Sequence, residues 1–227
     1  MPSNEEIIAA LVAKARVAQK QVENYTQEQI DEVALSVAWQ VYKDENIAVC
    51  ARSAVDETGK GVYEDKLTKH KVKVFGVCRD IKHAKTVGVI ERDEARGLTK
   101  YAKPVGVVGA LTPVTNPTAT PASNGTGILK GRNAVIFAPH PAAKNSCRVV
   151  CGFMREGLRK VGAPVDLVQF IEEPSVALSQ ELMRQVKREY DLWFAGTNPK
   201  PPYEQRNKLD THVRLLRNRL PRRVSDQ

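Results

Sequence analysis

Over residues 1–85 the apolar positions recur at helical spacing. Ser3-Asn4-Glu5-Glu6 is a capping box, in which the hydroxyl accepts an orphan backbone N–H and the glutamate reaches back to the cap. Ile7, Ile8, Leu11, Val12 and Ala15 follow as one stripe. Thr26-Gln27-Glu28-Gln29 is a second box, opening a helix with Ile30, Val33, Ala34, Val37, Ala38 and Val41 on one face. The pattern predicts a third helix from about Asp44 to Glu57, stopped by Gly59, where a left-handed cap costs little. A fourth runs from about Tyr63 to Ile81 with Leu67, Val74, Val77, Cys78 and Ile81 turned inward.

After Lys85 the period changes. Thr86–Glu91 and Leu98–Ala102 read as paired strands around the polar segment 92–97. Residues 104–111 form a near-continuous apolar run, which suits a strand covered on both faces. Ala134–Ala138, Asp166–Ile171 and Asp191–Ala195 are further predicted strands, with helices over Ala143–Val161 and Ser175–Val186. Alternation of this kind implies right-handed crossovers and an α/β fold with a parallel sheet. Ligands of such sheets sit beyond the carboxyl ends of the strands, which singles out loops 112–117, 138–142, 171–175 and 195–198. The organisation read from the chain is a helical segment 1–85, a strand pair 86–103, a partial dinucleotide-binding domain 104–196 and a basic tail 197–227.

Composition narrows the class. The 227 residues are 42% hydrophobic, enough for a sizeable core. No apolar run approaches the ~20 residues that span a bilayer, and the acidic start lacks a secretory n-region. The four cysteines, Cys50, Cys78, Cys147 and Cys151, include no Cys-x-x-Cys. The expectation is a cytoplasmic chain with free thiols and no membrane partner. The net charge of +9 raises a nucleic-acid reading. However, residues 187–227 hold 10 Lys/Arg against 5 Asp/Glu, whereas residues 1–186 hold 25 against 21. The excess is concentrated at the end. Trp193, Phe194 and Tyr203 all precede the Arg214–Arg223 cluster, so the tail lacks the interleaved aromatics of a single-strand binder.

Two loops carry candidate chemistry. Thr112-Pro113-Val114-Thr115-Asn116-Pro117 follows a buried strand. The Asn116 amide is either a donor aimed at a developing oxyanion or the N-cap of a helix starting at Pro117. Ala138-Pro139-His140-Pro141 holds a histidine between prolines, as a base, a ribose partner or an exposed loop residue. Cys147 and Cys151 share a helix face. They are a thiol pair for a metal or small buried residues, and no His/Cys partner at ligand spacing supports the metal. No Gly-x-Gly-x-x-Gly or Walker lysine is present. His70 and His83 receive no role.

At these loops the sequence resembles the coenzyme-A-acylating aldehyde dehydrogenases. The matching runs are Val105–Thr118, with its Thr-Asn-Pro-Thr, and Lys130–Ser146, with Lys-Gly-Arg-Asn-Ala followed by Pro-His-Pro. Gly88–Gly97 and the second helix look most like the acylating sulfoacetaldehyde dehydrogenases within that group. The resemblance covers about residues 1–186. It implies an aldehyde-dehydrogenase-like fold, N-terminal helices followed by a partial Rossmann-like sheet, and an NAD or NADP cofactor. It also implies oxidation of a small aldehyde, with coenzyme A as the co-substrate that takes the acyl group. By that likeness Asn116 is the oxyanion-stabilising amide. Thr112 and Pro113 line the nicotinamide side, Ala138, Pro139 and His140 lie along the adenosine ribose, Gly162 and Pro164 sit near the adenine, and Gly196 belongs to the turn after the last strand.

The departures are equally informative. The family has an Ala-Thr-Gly-Gly-type turn where this chain reads Ala195-Gly196-Thr197-Asn198. The separate catalytic domain with its nucleophilic cysteine is expected to be absent, and none of the four cysteines stands at its position. A frameshift or truncated reading frame produces such a pattern. The sequence therefore predicts the N-terminal cofactor-binding part of an acylating aldehyde dehydrogenase, inactive alone. The alternatives are a truncated nucleotide-binding protein that forms homo-oligomers or pairs with a full-length homologue through strands 86–102, and a nucleic-acid binder using the tail.

Overall fold

The computed structural model describes residues 2–188 and the strand at 193–195. Gly196 and the basic tail, with the frameshift and nucleic-acid readings that rest on it, lie outside the described residues.

Four helices come first: α1 (Asn4–Val22), α2 (Gln27–Tyr42), α3 (Asp44–Thr58) and α4 (Tyr63–Ile81). Both capping boxes form as the sequence predicts. Ser3 Oγ accepts from Glu6 N and Thr26 Oγ1 from Gln29 N, with the reciprocal bonds present. Gly59 closes α3 at φ 61. The stripe of α2 is buried throughout. On α4 only His70 and Val74 are buried, and Leu67, Val77, Cys78 and Ile81 are half-exposed.

The hairpin is β1 (Gly88–Asp93) against β2 (Leu98–Ala102), antiparallel with a bulge between Val89 and Glu91. It is a ribbon of two strands, with Ile90, Leu98 and Tyr101 exposed.

The parallel sheet contains β3 (Val107–Thr112), β4 (Ala134–Pro139), β5 (Val168–Phe170) and β6 (Trp193–Ala195), in the spatial order β5-β4-β3-β6. The connecting helices are α5 (Ala119–Lys130), α6 (Lys144–Lys160) and α7 (Val176–Arg188). Right-handed crossovers place α5 and α6 on one face and α7 on the other. α2 backs the first pair, and α1 packs beside α7 against the sheet. The core strands are nearly all apolar because both faces are covered. Val107, Val108 and Ala110 of β3, and all of β4, are buried. The predicted strand over Asp166–Ile171 is shorter than its apolar run, since Val165–Leu167 forms a 3-10 turn before β5. Among the described residues no helix is long and apolar enough to cross a membrane.

One turn joins these layers. Arg132 sits at φ 59, a left-handed conformation that costs a branched-out side chain about 1 kcal/mol. Its guanidinium donates to three carbonyls, Glu23 O at 2.6 Å, Thr86 O at 3.2 Å and Ala102 O at 3.1 Å. Its own carbonyl accepts from Gln19 Nε2 at 3.1 Å. Next to it Asn133 Oδ1 accepts from Val105 N and Gly106 N, which lead into β3. Lys130, almost wholly buried, donates to Asp31 Oδ1 at 2.7 Å and to Lys82 O.

Glycine sets the closest helix approach. A Cβ on Gly157 of α6 would lie 2.6 Å from Val37 Cα and 2.9 Å from Ser36 O of α2, whereas a Cβ on Gly152 meets nothing within 4 Å. Gly157→Ala should therefore lose about 3 kcal/mol of stability through backbone overlap. Gly152→Ala on the same helix should gain about 0.5–1 kcal/mol from its helix propensity. Urea denaturation of the two variants checks this, and equal midpoints would contradict the packing.

Candidate functional site

The strand order fixes where a ligand can enter. From β3 the chain moves outward through β4 to β5, then returns past β3 to β6. β3 sends its chain to α5 on one face, whereas β6 receives its chain from α7 on the other, so the carboxyl edge between them is the topological switch point at which ligands of such sheets bind. Thr112 ends β3, and Pro113–Thr118 is the loop that crosses this point.

Register brings the second loop alongside. Thr112 pairs with Pro139 in the parallel ladder, and His140 N donates to Thr112 O at 3.2 Å. Ile171 N donates to Phe137 O, which sets the end of β5 in the same row. Thr112, Pro113, Asn116, Ala138, Pro139 and His140 thus share one edge. Ala138 and Pro139 are buried and His140 is exposed. His140 Nδ1 accepts from Ala142 N, so part of its bonding capacity goes into its own turn.

Gly162 and Pro164 do not reach that edge. Gly162, at φ 66, closes α6 with its N–H on Arg159 O, and Ala163 N returns to Leu158 O. These residues lead into the amino end of β5. Helices in such a fold run antiparallel to the strands, so a turn between α6 and β5 belongs to the opposite edge. Their place near the adenine is what the resemblance implies, and in this fold Gly162 closes α6.

Nor is Asn116 a helix cap. α5 starts at Ala119 with Thr118 at its N-cap. Pro117 precedes the helix, which overturns its expected place at the first helical position. Asn116 Oδ1 and Thr112 Oγ1 are buried and have no hydrogen-bond partner among the described residues. Arg132 Nε is the third such atom. Buried polar atoms are otherwise paired in folded proteins, so two of them on one loop mark a place where outside chemistry is met.

The neighbouring helix terminus is already filled. Glu57 of α3 accepts from Asn145 N at 2.8 Å, Ser146 N at 2.7 Å and Ser146 Oγ at 2.6 Å. An anion would otherwise favour these amides. Lys144 bonds Glu173 and joins the loops after β4 and β5. That hydrogen bond and the lysine charge hold the Glu173 carboxyl below its ordinary range. Neither Glu57 nor Glu173 stood out in the sequence, because each acts across a long sequence separation.

The thiols lie elsewhere. Cys147 and Cys151 are buried with Sγ atoms 3.9 Å apart. Burial pushes the Cys50 thiol up to about 12 and raises Cys78 and Cys151 as well. These three environments disfavour the thiolate that nucleophilic catalysis needs. The described residues contain no group of three or more His, Cys, Asp or Glu that could hold a metal.

Known proteins share this fold. The model of the aldehyde dehydrogenase family matches residues 2–190. A sulfoacetaldehyde dehydrogenase from Acholeplasma sp is 63% identical over 180 residues, which are 79% of this chain and 37% of that protein. The crystal structure of an acetylating aldehyde dehydrogenase from Geobacillus thermoglucosidasius superposes with a TM-score of 0.77 at 32% identity, over 84% of this chain and 46% of that one. An engineered glycolyl-CoA reductase with bound NADP+ superposes with a TM-score of 0.70 at 28% identity, over 85% and 42%. The chain therefore spans well under half the length of the proteins it matches.

Because Thr112 Oγ1 is buried without a partner, Thr112→Val should leave stability unchanged or raise it by up to about 1 kcal/mol. Thermal and urea unfolding test this. A loss of more than about 1 kcal/mol would mean that the hydroxyl is satisfied within the fold.

Proposed function

The chain belongs to the aldehyde dehydrogenase family, and we propose that it is the cofactor-binding part of an NAD(P)-dependent acylating enzyme for a small aldehyde. The observation that carries this reading is the pair of unpartnered polar atoms, Thr112 Oγ1 and Asn116 Oδ1, on the loop at the strand-order switch. Thr112 and Pro113 would face the nicotinamide, and Ala138, Pro139 and His140 the adenosine ribose. When bound, the dinucleotide supplies the two-electron acceptor. The N-terminus of α6 is occupied by Glu57, so the phosphates would be held elsewhere along this edge.

Within this scheme Asn116 has one task. A thiolate that adds to an aldehyde carbonyl leaves negative charge on the oxygen. A fixed amide N–H directed there stabilises the charge as it forms, a contribution of about 3 kcal/mol to such barriers. In this reading the thiolate comes from another part of the enzyme, as the resemblance implies, and the burial of Cys50, Cys147 and Cys151 supports it. Coenzyme A then takes the acyl group. The likeness to a sulfoacetaldehyde dehydrogenase supports a sulfonated two-carbon aldehyde as substrate, and a cytoplasmic setting fits that chemistry.

A second reading is favoured by the hairpin. β1 and β2 form a ribbon with both outer edges unpaired and Ile90, Leu98 and Tyr101 exposed. A two-stranded ribbon is marginal alone, and edge pairing with a second copy or a full-length homologue would complete it.

Calorimetry on the 227-residue chain should show one NAD or NADP site. With coenzyme A and sulfoacetaldehyde added, no NAD(P)H absorbance should develop. Absence of binding would overturn the cofactor assignment, and steady turnover would overturn the assignment of the thiolate to another part of the enzyme.

A further inference from the structure

α4 belongs to the helical segment, remote in sequence from the catalytic loop, yet two of its side chains reach that loop on either side of Asn116. Lys66 Nζ donates to Thr115 O at 2.6 Å. His70 lies one turn further along the same face, 1% exposed, with Nδ1 3.4 Å from Thr118 Oγ1 and Nε2 3.0 Å from Val41 O. A carbonyl only accepts, so Nε2 carries the proton and Nδ1 is left as the acceptor for the Thr118 hydroxyl. The assignment of one bond thus fixes the other.

Thr118 is the N-cap of α5, but its side chain makes no capping bond to the helix. Its hydroxyl is turned to His70 instead, in a residue that is 4% exposed. The backbone at Asn116 is itself joined to α5 by Thr120 N on Asn116 O at 3.3 Å. The Asn116 side-chain oxygen has no partner within the fold, so the direction of the amide is set by the backbone on either side of it.

We propose that α4 is the strut that positions the Asn116 amide, with Lys66 and His70 as positioning residues that clamp Thr115 and Thr118. The proposal rests on the reading of Asn116 as the oxyanion donor. It gives the N-terminal helices a task in the chemistry besides packing. His70 also ties α4 to the last turn of α2 through Val41 O, an otherwise orphaned helix-end carbonyl. The loop therefore inherits the rigidity of two helices. Burial pushes the His70 pKa down to about 4, so the ring is neutral near pH 7 and its acceptor nitrogen is available. Burial, and then the charge of Lys69, also lower the Lys66 pKa.

The test uses nuclear magnetic resonance on the 227-residue chain and needs no cofactor, which keeps it separate from the calorimetric test of nucleotide binding. His70→Leu and Lys66→Met should each raise amide hydrogen exchange at Thr120 by about tenfold and shift the Asn116 side-chain amide resonances. Exchange in β3 and β4 should hold. His70→Gln, which keeps a donor for Val41 O and an acceptor for Thr118, should restore both signals, and Lys69→Met should change neither. If His70→Leu does not fold, the half-exposed Lys66 site still decides the matter. Unchanged exchange and unchanged Asn116 resonances in Lys66→Met would overturn the proposal. So would a uniform rise across the sheet, or failure of His70→Gln to restore the loop.

Discussion

The arrangement depends on the turn Lys130-Gly131-Arg132-Asn133 between α5 and β4. A parallel strand pair needs a crossover, and this crossover ends in a non-glycine residue at positive φ. Glycine would adopt that backbone more easily. What arginine adds is a five-donor fork that meets the end of α1, the segment before the hairpin and the end of the hairpin. Asn133 then fixes the start of β3, and Lys130 reaches α2 and the end of α4. Separate runs of chain are thus brought into register by one short segment. The bonds are charge-assisted and shielded, a setting in which loss of one partner costs the most.

That turn determines where β3 begins and the ladder determines where it ends. Thr112 stands opposite Pro139, and the return of the chain to β6 on the other side of β3 makes this edge the topological switch point. Among the described residues two buried side-chain oxygens at this end, Thr112 Oγ1 and Asn116 Oδ1, lack a partner, and the third such atom is Arg132 Nε. Sites that bind or react carry such local costs, which the surrounding structure absorbs. α4 braces the loop from outside the sheet, so helices and sheet contribute to the same few atoms.

Much of the fold was legible in the sequence, for local reasons. Ser3 with Glu6 and Thr26 with Gln29 announce helix starts through bonds three residues apart. The apolar strands announce coverage on both faces. Asn116 and His140 could be singled out because prolines beside a strand end limit the loop, whereas Thr112 took its role from the resemblance. The buried role of His70 was not legible, since nothing within one turn of it names Val41 or Thr118 as partners. Glu57 and Arg132 were hidden for the same reason, with partners far along the chain. Gly162 and Pro164 took their adenine place from the resemblance alone, because the same residue types also end helices and only the topology tells which edge they occupy.

On this reading a nicotinamide dinucleotide binds at the carboxyl edge of β3 and β4. Titration of the isotopically labelled chain with NADP+ and with NAD, followed through backbone and side-chain amide resonances, should give shifts concentrated at Thr112–Asn116 and Ala138–His140, including the Asn116 side-chain amide, with Gly162 unmoved. Shifts centred on the amino edge around Gly162 and Ala163, or none with either nucleotide, would contradict it.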